Sequence, residues 1–296
     1  MANINNYSNP QSVMNVVQPS TLDGLEAHPT NHLGLSYHFH YALTGNKNQP
    51  IILFLHGFTG NSQDFSSVIS LLSKNYCCLA VDLPGHGETR VSGDESCYNI
   101  SNTARALIQL LDDLQIDKCL LLGYSMGGRL ALYMTLHFPE RFEKVVLESA
   151  SPGLKTEKDR SHRLQADSQT AQNLENSNIK DFLLNWYDRP LFKSLKKSPK
   201  FDQLIETRLA NNPLELAKSL RNMGTGNQPS LWEKLAQNQI PLLLLAGEYD
   251  DKFQGINAEI ASLCPAASLN IIPKAGHNIH FENIDKFGSV VRQFYD

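Results

Sequence analysis

Residues 119–128 read Cys-Leu-Leu-Leu-Gly-Tyr-Ser-Met-Gly-Gly, and this segment carries the strongest structural signal in the chain. Its first four residues predict a buried strand, and the residues from Met126 onward predict a helix. The Gly-x-Ser-x-Gly pattern between them is typical of a sharp turn, because small neighbours of the serine let helix and strand approach closely. Such a turn holds the Ser125 hydroxyl clear of the backbone, at a helix N-terminus that favours developing negative charge.

Short apolar runs alternate with helical periodicity on both sides of this segment. Leu35 to Tyr41 alternates as an exposed edge strand does. Buried strands are predicted at Ile51 to Leu55 and Cys77 to Val81. Further strands are predicted at Lys118 to Leu122, Lys144 to Leu147, Ile240 to Ala246 and Ser268 to Ile272. Strands that alternate with helices predict an α/β fold with a mostly parallel central sheet and helices on both faces.

The interval 151–232 breaks this alternation, since it is charged, rich in amides and helix-like. It predicts an inserted helical cap, or lid, at the sheet edge where ligands bind in open α/β folds. The core then comprises 33–150 and 233–296. Residues 1–32 are rich in Asn, Ser, Gln and Pro and are predicted to form a loose N-terminal extension.

Composition excludes several classes of protein. The 296 residues carry 26 basic and 30 acidic side chains, a net charge of −4, which is unlike a nucleic-acid-binding protein. No apolar run reaches about 18 residues, so no membrane span is expected. The five cysteines have neither zinc-ligand nor redox spacing, and no export signal precedes them. We therefore expect reduced thiols, no metal site and a cytoplasmic protein.

A nucleophilic serine needs a base, and the base needs an orienting carboxylate. Asp250 and His277 each follow a predicted strand, so both belong to the sheet edge that carries Ser125. Their order along the chain is that of a Ser-Asp-His triad at strand ends. The alternatives are Asp251 and Glu248 for the carboxylate and His280 for the base.

Two backbone amides are expected to form an oxyanion hole. Met126 follows the serine and would supply one amide. Phe58, in the loop His56-Gly57-Phe58-Thr59-Gly60, would supply the other. We expect His56 and His86 to shape their loops rather than to act as bases.

Five motifs together resemble the α/β-hydrolase superfamily over Leu33 to Asp296: HGFTG, DLPGHG, GYSMGG, GEYD and AGH. Finer features resemble one group within it, the 2-succinyl-6-hydroxy-2,4-cyclohexadiene-1-carboxylate synthase family of menaquinone and phylloquinone biosynthesis. These features are Tyr124, Arg129 and several strings of the predicted cap, of which Ser219 to Trp232 is the most distinctive.

This resemblance implies a carbon–oxygen lyase that needs no metal or organic cofactor. Its substrate, 2-succinyl-5-enolpyruvyl-6-hydroxy-3-cyclohexene-1-carboxylate, loses pyruvate, and Ser125 acts as a base. The substrate is a polycarboxylate, and arginine binds carboxylates by paired hydrogen bonds. The implied binding residues are Tyr124, Arg129, Arg163, Trp186 and Arg208. Arg160 is an alternative to Arg163, and Arg189 stands where the family has glutamine.

Two other functions stay open at this point. A serine hydrolase of esters or C–C bonds would use the same triad to form an acyl-enzyme. A binding protein on the same scaffold would keep the pocket without turnover.

Overall fold

The computed structural model describes residues 22–26, 30–32 and 35–296. The strands of these residues, in chain order, are β1 (Leu22–Glu26), β2 (Thr30–His32), β3 (Leu35–His38), β4 (His40–Thr44), β5 (Ile51–Leu55), β6 (Cys77–Val81), β7 (Arg90–Ser92), β8 (Cys119–Tyr124), β9 (Phe142–Glu148), β10 (Leu242–Gly247) and β11 (Ala267–Ile272).

Helices connect these strands, as the alternation of apolar runs and helical periodicity predicts. In chain order they are α1 (Ser66–Leu72), α2 (Ile100–Asp113), α3 (Met126–His137), α4 (Glu157–Asn176), α5 (Ile179–Tyr187), α6 (Phe201–Arg208), α7 (Pro213–Met223), α8 (Asp251–Leu263), α9 (Ile279–Glu282) and α10 (Ile284–Tyr295). No helix among the described residues combines the length and apolarity that crossing a bilayer requires.

The main sheet has the strand order β1-β4-β6-β5-β8-β9-β10-β11 in the described part of the chain. Every pair from β6 to β11 is parallel, whereas β1–β4 and β4–β6 are antiparallel. Side chains of β5 alternate between two apolar layers: Leu53 and Leu55 face α2 and α3, and Ile52 and Phe54 face α1 and α10. A sheet covered on both faces explains why the sequence shows continuous apolar runs. The predicted α/β-hydrolase fold is thus confirmed.

The start of the chain departs from the sequence-based expectation. For 22–26 and 30–32 the loose extension predicted over residues 1–32 is wrong, because β1 pairs with β4 and β2 pairs with β3. The remaining residues of 1–32 lie outside the described part. The single edge strand predicted over Leu35 to Tyr41 is also wrong: β3 belongs to a three-stranded sheet with β2 and β7, and β4 lies inside the main sheet. The alternating pattern of β4 predicted an open edge of the sheet. Backbone hydrogen bonds between β1 and β4 cover that edge.

Helices α4 to α7 occupy the interval between β9 and β10 and surround an apolar cluster of their own, which includes Leu174, Leu183, Leu195 and Leu216. Local sequence sets their starts. Asn212 accepts hydrogen bonds from the amides of Leu214 and Glu215, and Pro213 occupies the first helical position of α7. We refer to residues 151–232 as the cap.

Candidate active site

Ser125 lies in the sharp turn between β8 and α3, with φ 50° and ψ −106°. Two hydrogen bonds hold this strained backbone: the Ser125 amide donates to Glu148 O at 2.9 Å, and the Gly127 amide donates to His56 O at 3.0 Å. A Cβ atom on Gly127 would lie 2.1 Å from Leu55 O, so the turn requires glycine there. The Gly-x-Ser-x-Gly pattern therefore reflects how closely α3 crosses the sheet.

Ser125, His277 and Asp250 form one hydrogen-bonded chain. Nδ1 of His277 donates to Asp250 Oδ2 at 2.8 Å, and His277 Nε2 lies 3.1 Å from Ser125 Oγ. With the first bond fixing the tautomer, Nε2 is free to accept the serine proton. The imidazole and the carboxylate are 2% and 4% exposed, so little solvent competes for this relay.

Both oxygens of the Asp250 carboxylate accept a hydrogen bond. Asp250 follows β10 and caps α8, with its Oδ1 accepting from the Phe253 amide at 3.2 Å while Oδ2 faces the imidazole. Of the alternatives, Glu248 instead accepts from the Lys274 amide at 2.8 Å. His280 pairs with Glu148 and not with the serine.

Phe58 and Met126 lie on the wall of the same cavity as Ser125, so the two residues expected to form an oxyanion hole share that cavity with the serine. His56 braces the Phe58 loop: its Nδ1 donates to Gly57 O at 2.8 Å, and its Nε2 accepts from the Leu83 amide at 2.9 Å. Burial lowers the pKa of His56, which keeps the ring neutral in this bracing role.

A cavity of about 920 Å³ lies between the cap and the sheet edge, and Ser125 and His277 reach its wall. Its cationic lining residues are Arg129, Lys155, Arg163, Arg189 and Lys252. Acidic residues line it as well, namely Asp159, Asp167, Asp250, Asp251 and Glu259. Such a cavity has room for a small organic molecule, and its cations can bind anionic groups where no protein carboxylate pairs with them.

Arg129 projects from the first turn of α3 and is held by two acceptors. Nη1 donates to Gln228 Oε1 at 3.0 Å, and Nη2 donates to Met223 O at 2.8 Å. Burial, and then repulsion from Arg163, lower the pKa of Arg129 to about 10. The guanidinium therefore keeps its charge at neutral pH and faces the cavity in a fixed orientation.

Arg163 and Arg160 lie on α4, and the structure separates them. Arg163 lines the cavity, and its Nε donates to Asp167 Oδ1 at 2.7 Å. Arg160 pairs with Glu157 and does not belong to the lining.

Trp186 forms an aromatic wall of the cavity and packs against Phe58, with 4.9 Å between ring centroids. The Arg189 guanidinium lies 3.8 Å from the Trp186 ring centroid, in a cation–π contact. Burial, and then the neighbouring Arg163, lower the pKa of Arg189. This residue therefore adds a cation to the cavity.

Two residues implied by the resemblance do not line the cavity. Arg208 is 4% exposed, and its Nη1 and Nη2 donate to Asp64 at 2.5 and 2.7 Å. The ring of Tyr124 packs behind the wall, against Gly57 and against His277 at 5.5 Å between ring centroids. The structure thus gives Arg208 a protein carboxylate as its partner.

Glu148 contacts the loop that carries His277, and sequence reasoning missed it. Its carboxylate is fully buried and accepts the amides of Ile279 and His280. A charged residue at the end of an otherwise apolar run, on the same sheet edge as Ser125, was the signal that could have identified it.

No group of His, Cys, Asp and Glu side chains within the described residues could hold a metal ion. The five cysteines are free and buried. The candidate site therefore consists of the Ser-His-Asp chain, the adjoining amides and the cavity with its arginines.

Comparison with known proteins gives consistent results. The alpha/beta hydrolase fold family matches residues 50–284. A putative 2-succinyl-6-hydroxy-2,4-cyclohexadiene-1-carboxylate synthase of Bacillus subtilis is 37% identical over 252 residues, which cover 84% of this chain and 92% of that protein. The synthase of Serratia proteamaculans is 33% identical, covering 84% of this chain and 94% of its own.

Solved structures agree with these relatives. MenH from S. aureus superimposes with a TM-score of 0.82 at 37% identity, covering 86% of this chain and 97% of its own. An esterase from Thermogutta terrifontis, at 19% identity and a TM-score of 0.78, shares the fold. This chain therefore belongs to the α/β-hydrolase family and, within it, to the group of enzymes named 2-succinyl-6-hydroxy-2,4-cyclohexadiene-1-carboxylate synthases.

Proposed function

We propose that this enzyme is a carbon–oxygen lyase that eliminates pyruvate from 2-succinyl-5-enolpyruvyl-6-hydroxy-3-cyclohexene-1-carboxylate to give 2-succinyl-6-hydroxy-2,4-cyclohexadiene-1-carboxylate. The observation that carries the proposal is a hydrogen-bonded Ser125–His277–Asp250 chain at the wall of a cavity with five cationic residues. The names of the relatives point to the same product.

In this mechanism Ser125 acts as a base. Its oxygen removes the proton from the ring carbon that bears the succinyl group, while its own proton passes to His277 Nε2. The electron pair of the broken C–H bond shifts into the ring, the double bond moves by one position, and the C–O bond to the enolpyruvyl group breaks. The departing enolate takes up a proton on carbon and becomes pyruvate.

The amides of Met126 and Phe58 would stabilise the negative charge that develops on the succinyl ketone oxygen. The Asp250 carboxylate would stabilise the imidazolium while the proton resides on His277. No covalent intermediate is needed, because proton abstraction and departure of the leaving group complete the reaction.

The substrate carries three carboxylates, and the cavity offers matching charges. Arg129 is fixed by two neutral acceptors, Gln228 and the Met223 carbonyl, so its charge is not neutralised by an ion pair. Trp186 supplies an apolar face for the ring. Arg129 and the face of Trp186 therefore support a substrate that combines a carboxylate with a ring.

Pyruvate release by purified Ser125→Ala tests the proposal. Removal of a general base should lower kcat by about 10²–10⁴-fold, as measured by coupled oxidation of NADH with lactate dehydrogenase. Ser67→Ala, which changes an exposed serine on α1, should keep the wild-type rate. Near-wild-type turnover by Ser125→Ala would exclude the serine as the base.

Ester or C–C bond hydrolysis is the second candidate, because the 2.8 and 3.1 Å bonds of the relay also suit acyl transfer. A burst of phenol from an activated ester, without pyruvate release from the cyclohexene substrate, would favour hydrolysis. Absence of turnover with either substrate would favour a binding protein.

A further inference from the structure

The loop from Gly276 to His280, which carries His277, donates four of its backbone amides to two glutamates. The Glu148 carboxylate lies beneath the loop. Its Oε1 accepts from Ile279 N at 2.6 Å and from His280 N at 3.0 Å, and its Oε2 accepts from His280 Nδ1 at 2.7 Å.

Glu282 holds the other part of the loop. Its Oε2 accepts from Gly276 N at 3.1 Å, and its Oε1 accepts from Asn278 N at 3.3 Å. These two amides flank His277 on both sides. Gly276 also lies tight against the cap, since a Cβ there would be 2.1 Å from Ser194 Oγ.

We propose that Glu148 and Glu282 are positioning residues that set the place of the His277 imidazole relative to Ser125. Neither carboxylate touches the imidazole, and both act through the backbone that carries it. We refer to the pair as the glutamate cradle.

Asp250 alone does not determine the position of the His277 ring. A single hydrogen bond between Asp250 and Nδ1 fixes the tautomer, but the ring can still translate with its loop. Hydrogen bonds from amides to a buried carboxylate are stronger than neutral ones. The fully buried Glu148, with its 2.6 and 3.0 Å bonds, therefore resists that translation, and Glu282 adds two longer bonds on either side of His277. A shift of about 1 Å at a reacting group can lower a rate by about 100-fold.

Glu148 also connects the base to the nucleophile. Its carbonyl oxygen accepts from Ser125 N at 2.9 Å, while its carboxylate holds the histidine loop. One residue at the end of β9 therefore determines the position of both partners of the 3.1 Å Ser125–His277 contact.

The test uses Glu148→Gln and Glu282→Gln, which keep the side-chain volume and remove the charge. The readout is the rate at which a fluorophosphonate labels Ser125. In this reaction the Oγ–P bond forms, the P–F bond breaks, fluoride leaves and the serine proton passes to His277. The rate therefore reports the relay alone and does not depend on the substrate.

Glu248→Gln is the matched control, because Glu248 also accepts a backbone amide, that of Lys274, but outside the loop. We expect both cradle variants to label at least about tenfold more slowly than wild type, and Glu248→Gln to label within about twofold of it. The low-field proton resonance of the His277–Asp250 hydrogen bond should broaden in the cradle variants and persist in the control.

Wild-type labelling rates and an unchanged resonance in both cradle variants would overturn the proposal. Glu282 is only half-buried, so its variant keeps the test valid if Glu148→Gln does not fold. The cradle also stands apart from the proposed lyase activity: a wild-type enzyme that labels rapidly but releases no pyruvate contradicts the activity and leaves the cradle intact.

Discussion

An arginine that already pairs with a protein carboxylate is less available to bind a carboxylate of the substrate. Arg163 pairs with Asp167, and Arg208 pairs with Asp64. Arg189 has no carboxylate partner among the described residues, and the Trp186 ring holds its guanidinium in place. This arrangement makes Arg189 the better candidate for the charge that the family resemblance assigned to Arg208.

Arg189→Gln should therefore raise the KM for the tricarboxylate substrate about 10- to 100-fold, since a charge-assisted hydrogen bond contributes about 1.5–3 kcal/mol. Because Arg189 is not part of the Ser125–His277–Asp250 chain, kcat should change little. Initial rates of pyruvate release over a range of substrate concentrations measure both constants.

Lys193→Gln serves as the control for Arg189→Gln, since it removes one exposed cap charge that does not line the cavity. Its KM should match the wild-type value. An Arg189→Gln enzyme with the same KM as Lys193→Gln would show that Arg189 does not bind the substrate.

Single residues also show what could be predicted from sequence. Ser125, Asp250 and His277 were predicted because each follows an apolar strand, and the parallel sheet brings those strand ends to one edge. The partner of Arg208 was not predictable, because Asp64 lies 144 residues earlier in the chain and no local pattern links the two. Residues at the ends of strands can be recognised from the local sequence, whereas an ion pair between the cap and the core joins residues that are far apart in the chain.

The strands, too, differ in how well the local sequence predicts them. The strands β5, β6, β8, β9 and β10 were recognised because burial on both faces leaves a continuous apolar run, whereas the short, exposed β7 was not predicted. β1 has the sequence Leu-Asp-Gly-Leu-Glu, in which apolar and polar residues do not alternate, so only its pairing with β4 identifies it as a strand. Periodicity therefore finds the strands that are buried on both faces and misses those defined by backbone pairing.

The turn between β8 and α3 is the element on which the site depends. Gly127→Ala should destabilise the protein by about 1–3 kcal/mol, because its Cβ would lie 2.1 Å from Leu55 O and 2.5 Å from His56 O. Backbone atoms cannot move aside as a flexible side chain can, so α3 would shift and Ser125 with it. Urea unfolding and pyruvate release should both report the loss.

Gly255→Ala is the matched control for this glycine. Gly255 lies within α8, and a Cβ there meets nothing within 4 Å. Replacing a helical glycine with alanine should then stabilise the protein by about 0.5–1 kcal/mol. A Gly127→Ala protein as stable as Gly255→Ala would contradict the close packing of strand and helix.

Across the whole molecule, the cap and the core share the active site and are joined by buried polar contacts. Asn211 of the cap donates to Thr59 O at 2.8 Å, and the hydroxyls of Thr59 and Tyr187 lie 3.0 Å apart. Thr59 follows Phe58, so the cap also supports the loop that is expected to provide an oxyanion donor. The position of the cap and the catalytic geometry are therefore coupled.

The Asp64–Arg208 ion pair is the strongest of these connections, since both side chains are 5% exposed and the bond is bidentate. Asp64→Asn should lower the free energy of unfolding by about 3–5 kcal/mol, because it leaves the Arg208 charge buried without a counterion. The exposed Lys155–Glu259 pair also joins the cap to the core, and Glu259→Gln should cost less than about 1 kcal/mol. In Asp64→Asn/Arg208→Met no buried charge remains, so the double variant should be more stable than Asp64→Asn alone. Urea unfolding of the wild type and the three variants measures these differences. Equal losses of unfolding free energy in Asp64→Asn and Glu259→Gln would show that the buried pair does not hold the cap.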